Sequence, residues 1–255
     1  MTHRIYRNTP NLEAIFNTQN KIPKKMCCFW FGDRSESFQQ MRDQFFSTFW
    51  KHHSEDKWDL NLYGEDDLIA WSKDSNFLTA MPVVKIMSLL EGAPYAFQCD
   101  VWRTLAVYNF GGVYADLDNT FHGNIDLALF DATYVTAVQQ DDFDKRGFGL
   151  CNGFFAAERH HPVLWKLHQY QIRALSQRTL ESYDDYMDAV GVSAYNRVLE
   201  EYTIKQGAPI RILPREYVLP YGYWEVNKPS VNKCSIMCHH WNHADGADKR
   251  ARDMT

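Results

Sequence analysis

Two carboxylates stand two residues apart at Asp116-Leu117-Asp118, directly after the short apolar run Val113-Tyr114-Ala115. On a strand, positions i and i+2 share a face, so both side chains project the same way. At that separation they repel unless a cation lies near them, and hard oxygen ligands suit Mg²⁺ or Mn²⁺. An ion held there can bridge the phosphates of a nucleotide diphosphate and stabilise the charge that grows on a leaving group. A bare Asp-x-Asp is also common in solvated turns, so the surroundings must decide.

Those surroundings are informative. Gly111-Gly112 precede the short strand and place it tightly against the helix before it. On that helix Asp100 and Arg103 are one turn apart, on one face. An arginine beside two acids is placed to meet a diphosphate, and the aspartate to accept from a ribose or sugar hydroxyl. A helix-surface ion pair is the plainer alternative.

The elements that must position these groups follow from periodicity. Lys25 to Phe31 is a short apolar run and reads as a buried strand, with Cys27 and Cys28 pointing to opposite faces. Ser37 to Lys51 carries Phe38, Met41, Phe45, Phe49 and Trp50 at helical spacing. Trp58 to Tyr63 alternates as a strand; Leu78 to Leu90 and Ala96 to Phe110 read as helices broken near Gly92-Ala93-Pro94. Further strands are expected at Thr133 to Gln139, Cys151 to Ala157, Ile210 to Leu213 and Cys234 to Cys238. Further helices are expected at Pro162 to Ala174 and Val192 to Tyr202. Alternating strands and helices give an α/β fold, in which ligands sit outside the carboxyl ends of the strands. Trp30-Phe31-Gly32, Gly64-Glu65-Asp66 and Asp116-Leu117-Asp118 should therefore converge on one cleft.

Gln98-Cys99-Asp100-Val101-Trp102-Arg103, with Gly111-Gly112-Val113-Tyr114-Ala115-Asp116-Leu117-Asp118 behind it, resembles the signature of the DXD sugar-transferase family. That family includes fungal mannosyltransferases, galactosyl- and N-acetylglucosaminyltransferases and capsular-polysaccharide enzymes, with the glucosylating toxin domains more distant. The match falls at Asp100, Arg103, Gly111, Gly112, Tyr114, Asp116 and Asp118. Looser agreement comes from Ile22-Pro23-Lys24, Phe29-Trp30-Phe31-Gly32, Asn152 to Ala157, His161-Pro162 and His239-His240-Trp241, so the likeness runs over residues 22–243.

The resemblance implies a GT-A-like, Rossmann-like mixed central sheet flanked by helices, a nucleotide-sugar donor, Mn²⁺ or Mg²⁺, and retention of anomeric configuration. It implies a UDP-sugar first, a GDP-sugar second. Asp116 and Asp118 would bind metal and diphosphate, and Asp100 and Arg103 would hold donor sugar and phosphate. Trp30 or Phe31 would stack on the base, within a donor site that also takes in Phe29, Tyr114, Leu117 and Trp241, and Asn152 would approach the sugar. The closing segment departs from the family's usual pattern by reading His-His-Trp-Asn-His, which points to His240 and His243 as further metal ligands.

Other stretches invite readings of their own. Asp141, Asp142 and Asp144 would face an acceptor or form a solvated loop. Tyr217, Tyr221, Tyr223 and Trp224 would wall a sugar or pack in the core. Cys234 and Cys238 beside His239, His240 and His243 lack the second spacing of a zinc site.

At 255 residues, 45% hydrophobic and 23% charged, the composition is that of an ordinary globular chain. We expect one domain over 22–245, an arm or lid at 1–21 and a polar tail at 246–255. The net charge of -5 and the lack of a basic face argue against nucleic acid. No run approaches the length of about 18 apolar residues that a span needs, and Met1 to Lys25 has no signal-peptide core. Six scattered cysteines are not a disulfide framework and fit a reducing cytosol. The expected partner is a glycan acceptor, whether an oligosaccharide, lipid-linked or protein-bound. Three rivals remain. One is a haloacid-dehalogenase-like phosphatase with Asp116 as nucleophile. The others are a non-catalytic glycan- or nucleotide-binding module and a toxin-like transferase that modifies protein side chains.

Overall fold

The computed structural model describes residues 21–139, 149–206, 210–221 and 233–240. The expected arm and tail, the acidic loop at Asp141, Asp142 and Asp144, and Tyr223, Trp224, Trp241 and His243 lie outside these residues.

Strand β1 (Lys25–Phe29) leads into helix α1 (Glu36–His52), and β2 (Asp59–Tyr63) into α2 (Glu65–Trp71). Helices α3 (Val83–Leu89) and α4 (Tyr95–Phe110) precede β3 (Gly112–Ala115) and β4 (Asn119–Phe121). After α5 (Asp126–Leu129) come β5 (Tyr134–Val138), β6 (Leu150–Ala157), α6 (Pro162–Gln177), α7 (Tyr183–Ala189) and α8 (Val192–Gln206). The described chain closes with β7 (Arg211–Leu213), α9 (Arg215–Val218) and β8 (Met237–His239).

Six strands form one mixed sheet in the order β2-β1-β3-β6-β5-β7. β1 is parallel to both β2 and β3, while β6 is antiparallel to β3 and β5. Strand alternation splits the core between the two faces. Cys27, Phe29, Tyr114 and Phe155 join one buried cluster with residues of α4, α6 and α8. Met26, Cys28, Val113 and Phe154 join the other, with Phe38, Phe45 and Phe49 of α1. The side chain of Ser35 caps α1 by accepting the N–H of Phe38.

The double glycine has a steric cause. Gly111 and Gly112 have φ of 67° and 103°, a region that disfavours side chains, and a Cβ on Gly112 would meet the carbonyl of Lys25. β3 can therefore leave α4 abruptly and lie close against β1.

Several expectations need correction. The helix expected over Leu78 to Leu90 begins only at Val83, because Pro82 supplies its N-cap and the chain before it is not helical. Gly64-Glu65-Asp66 does follow the end of β2, but it also starts a helix the sequence pattern does not show, with the Asp67 carboxylate accepting the N–H of Gly64. The late strand lies at Met237–His239, not Cys234 to Cys238. Helix α7, marked by a Ser182–Asp185 capping box, and strand β4 were absent from the sequence reading.

Candidate active site

β3 ends at Ala115, and the chain turns through the two acids into β4. The turn is fixed by backbone: the N–H of Asp116 donates to the carbonyl of Gly153 on the neighbouring strand at 3.0 Å, and that of Asn119 donates back to Asp116 at 3.2 Å. β4 then pairs with β8 in a separate two-stranded sheet, Asn119 opposite His239. The N–H of His240 donates to the carbonyl of Asp118 at 3.0 Å.

This pairing carries His239 from the far end of the described chain to the acids. Its Nε2 is 2.9 Å from Asp118 Oδ1 and 3.5 Å from Asp116 Oδ2. One ligand atom from each of the three residues lies within 4.8 Å of the others. Two oxygens and an imidazole nitrogen suit Mn²⁺, and the carboxylates alone would also take Mg²⁺.

The electrostatics agree. Burial on its own would lower the pKa of His239, but Asp118 and then Asp116 outweigh it and push it up to about 10. Asp116 is held below the usual carboxylate range: burial pushes it up, and Arg103 and His239 together outweigh that. The imidazolium thus supplies the positive charge that the two carboxylates require, at the place where a cation would sit.

Behind the acids stands a buried frame. Arg103 is 6% exposed and places Nη2 at 2.9 Å from Asp100 Oδ1 and Nη1 at 3.4 Å from Asp116 Oδ1. It also donates to the carbonyl of Asn152 at 2.8 Å and lies over the ring of Tyr114, 4.6 Å from its centroid. The Asn152 amide donates to Asp100 at 2.8 Å, and the Tyr114 hydroxyl to Asp116 at 2.5 Å. Burial pushes the Asp100 carboxyl up to about 7 against the pull of Arg103. In this arrangement Arg103, Asp100 and Tyr114 hold Asp116 in place. Gly153 completes the frame, since a Cβ there would fall 2.5 Å from Asp116 Oδ2.

The structure therefore brings together Asp100, Arg103, Tyr114, Asp116, Asp118 and Asn152, as expected, and adds His239, which the sequence reading passed over for its neighbour. His240 is turned away from the acids. Its Nε2 meets the Thr120 hydroxyl at 2.8 Å and its Nδ1 the Tyr221 hydroxyl at 2.9 Å. The cause is alternation: His240 directly follows β8, and adjacent residues of extended chain face opposite ways. Phe29 and Phe31 are buried in the core, so neither ring is open to a base. Trp30 keeps partial exposure, its ring 4.9 Å from that of Phe38 and its indole N–H donating to the carbonyl of Asp33. Leu117 is buried and serves as the spacer between the acids.

Residues 14–135 match the family described as "Glycosyltransferase sugar-binding region containing DXD motif". The matched segment ends beyond the two acids and contains Asp100, Arg103, Asp116 and Asp118. Over that segment the chain resembles glycosyltransferases of the DXD type.

The chain is 25% identical over 173 residues to inositol phosphoceramide mannosyltransferase 1 of Schizosaccharomyces pombe, covering 68% of this chain. The chain spans about half of that relative, 49% of its length. Among solved structures it resembles the PaToxG glycosyltransferase, with a TM-score of 0.53 and 15% identity over 77% of this chain and 75% of that one. It also resembles apo GlyE of Streptococcus pneumoniae, with a TM-score of 0.50 and 12% identity over 86% of this chain and 54% of that one. These two likenesses concern the fold. The phosphatase alternative has little support in the geometry, because Tyr114, Arg103 and His239 all engage the Asp116 carboxylate that would have to attack.

Among the described residues no helix is long and apolar enough to cross a membrane. All six cysteines are free thiols.

Proposed function

We propose that the protein is a metal-dependent, retaining hexosyltransferase that moves a sugar from a nucleotide-sugar donor to a hydroxyl of a glycan acceptor. The observation that carries this reading is the meeting of Asp116, Asp118 and His239 at the carboxyl end of β3.

Asp116, Asp118 and His239 would hold Mn²⁺ or Mg²⁺, with His239 deprotonated. When bound, the ion supplies positive charge to the donor diphosphate and eases its departure. Arg103 and Tyr114 keep Asp116 in one rotamer, so the ligand set is preorganised. Asn152 stands beside this frame, toward the donor sugar. The leaving diphosphate takes the acceptor's proton on the face it departs from, which is the same-face route to retention. Inverted product stereochemistry by NMR would rule that route out.

The donor's nucleoside has room nearby. A cavity of about 890 Å³ opens at the carboxyl end of β2, walled by α2, α3 and the start of α4, with Glu65, Tyr95, Gln98 and Trp102 among its lining. β2, at whose end the cavity opens, lies two places from β3 in the main sheet. A cytosolic site of action completes the proposal, supported by the six free thiols.

The test is hydrolysis of a panel of UDP- and GDP-sugars with Mn²⁺, comparing wild type with Asp118→Asn. Slow turnover of one donor, abolished by EDTA and in the variant, is expected. No donor turnover, with Mg²⁺-dependent release of phosphate from simple phosphomonoesters, would replace this reading with the phosphatase.

A further inference from the structure

β4 opens on a buried polar group that the cation site leaves half used. Asn119 follows Asp118 directly and is 1% exposed. Its backbone N–H donates to the carbonyl of Asp116 at 3.2 Å, and its side-chain Nδ2 donates to the same carbonyl at 2.6 Å. A carbonyl only accepts, so the amide cannot be turned over: its nitrogen meets Asp116, and its oxygen does not. That oxygen is buried and has no hydrogen-bond partner among the described residues. Bracing the turn needs only the nitrogen. Buried acceptors are almost always satisfied, so the oxygen requires a separate account.

The register supplies one. Asn119 stands directly opposite His239 in the β4–β8 pair. Opposite residues share a face, with Cβ atoms about 4.5–5.5 Å apart. His239 turns Nε2 to the acids, 2.9 Å from Asp118 Oδ1, so Nδ1 is the ring nitrogen not engaged there. A neutral imidazole that ligates an ion through Nε2 carries its one proton on Nδ1. Metal-bound histidines almost always donate that proton to an acceptor, which fixes both the tautomer and the ring.

We infer that Asn119 is a positioning residue for the third ligand. Its Oδ1 accepts the Nδ1–H of His239 and so keeps Nε2 as the nitrogen that meets the ion. One amide thereby ties both arms of the site, Asp116 through its nitrogen and His239 through its oxygen. This rests on the proposed cation site.

The test uses the full chain, with Mn²⁺ for calorimetry and Zn²⁺ as a diamagnetic probe for NMR of isotope-labelled histidine. The His239 ring is assigned by its loss in His239→Asn. In the Zn²⁺-loaded wild type, His239 should show an unprotonated Nε2 and an Nδ1 proton that exchanges slowly with water. In Asn119→Ala that proton should exchange fast, and Mn²⁺ affinity should fall about ten- to a hundredfold. If Asn119 only braces the turn, affinity falls while the Nδ1 proton keeps its wild-type shift and exchange rate, which overturns the inference. Wild type alone can also overturn it, without any variant: a proton on Nε2, or a fast-exchanging proton on Nδ1, excludes the bond. Mn²⁺ affinity in Asn119→Ala within about twofold of wild type would do the same and leave the cation site intact. Failure of the wild type to bind either ion would instead remove the cation site, and this inference with it.

Discussion

Gly153 gives the sharpest test of the site's geometry, because its substitution changes no ligand. The residue lies on β6 and passes its carbonyl to the N–H of Asp116. Its backbone is not in the left-handed region, so alanine is allowed there conformationally. The obstacle is the carboxylate alone: a Cβ would sit 2.5 Å from Asp116 Oδ2 and 3.3 Å from its Cγ, where ordinary contact begins at 3.4 Å. The oxygen must therefore retreat by about 0.9 Å, while metal–ligand distances tolerate about 0.2 Å. Asp116 can yield, since its side chain is 27% exposed, so the change falls on the ligand geometry and not on the fold. Gly153→Ala should lower Mn²⁺ affinity by about ten- to a hundredfold, as loss of a partner behind a metal ligand does. Its unfolding midpoint in urea should stay close to wild type. Calorimetric Mn²⁺ titration beside urea denaturation reads both. Mn²⁺ affinity within twofold of wild type would refute the claim that Asp116 is a ligand held by this frame.

Removing Arg103 should act on stability. Arg103→Met leaves the Asp100 carboxylate buried without its ion pair, and urea denaturation should show a loss of about 3–5 kcal/mol, partly restored in the double variant with Asp100→Asn. Tyr221→Phe removes the hydroxyl on His240 that helps clip β8 to β4. It should weaken Mn²⁺ binding by about tenfold by calorimetry and leave the main sheet's unfolding midpoint in place. Acid should destabilise the fold through two buried neutral histidines. Burial lowers His161 and His168 from 6.5 to about 4, and each accepts a backbone N–H, from Val163 and Ala80 respectively. The unfolded chain then binds protons from pH 6.5 downward while the folded chain resists until about pH 4, so stability falls as pH falls across that window. The loss should reach up to about 3 kcal/mol for each histidine, and His168→Gln should flatten the profile measured by urea titration at a series of pH values.

What was legible in the sequence was what local pattern encodes. β1, α1, β2, α4, β3, β5, β6, α6 and α8 follow from alternation, helical spacing and the Gly111-Gly112 break, each a relation between residues close in the chain. The Asp100–Arg103 pair and the two acids follow from the same short-range spacing together with the family signature. α2 was missed because its charged first turn, Glu65 to Asp67, reads as loop without the knowledge that Asp67 caps Gly64. β4 was missed because three residues carry no periodicity of their own.

The choice between His239 and His240 marks where local reading ends. Either could follow the closing strand's pattern, and a shift of one residue in register exchanges the faces of the two. Nothing within residues 233–240 sets that register. It comes from β4, more than a hundred residues earlier, which pairs Phe121 with Met237, Thr120 with Cys238 and Asn119 with His239. It is locked by the Thr120 and Tyr221 hydroxyls, which take up both ring nitrogens of His240 on the side away from the acids. β4 follows directly on Asp118, so the strand that fixes the third ligand is continuous with the turn that carries the first two. Slack between β4 and β8 must therefore appear as slack in the ligand set. That is why the hydroxyl of Tyr221, through its bond to His240, is expected to tune the affinity for the ion.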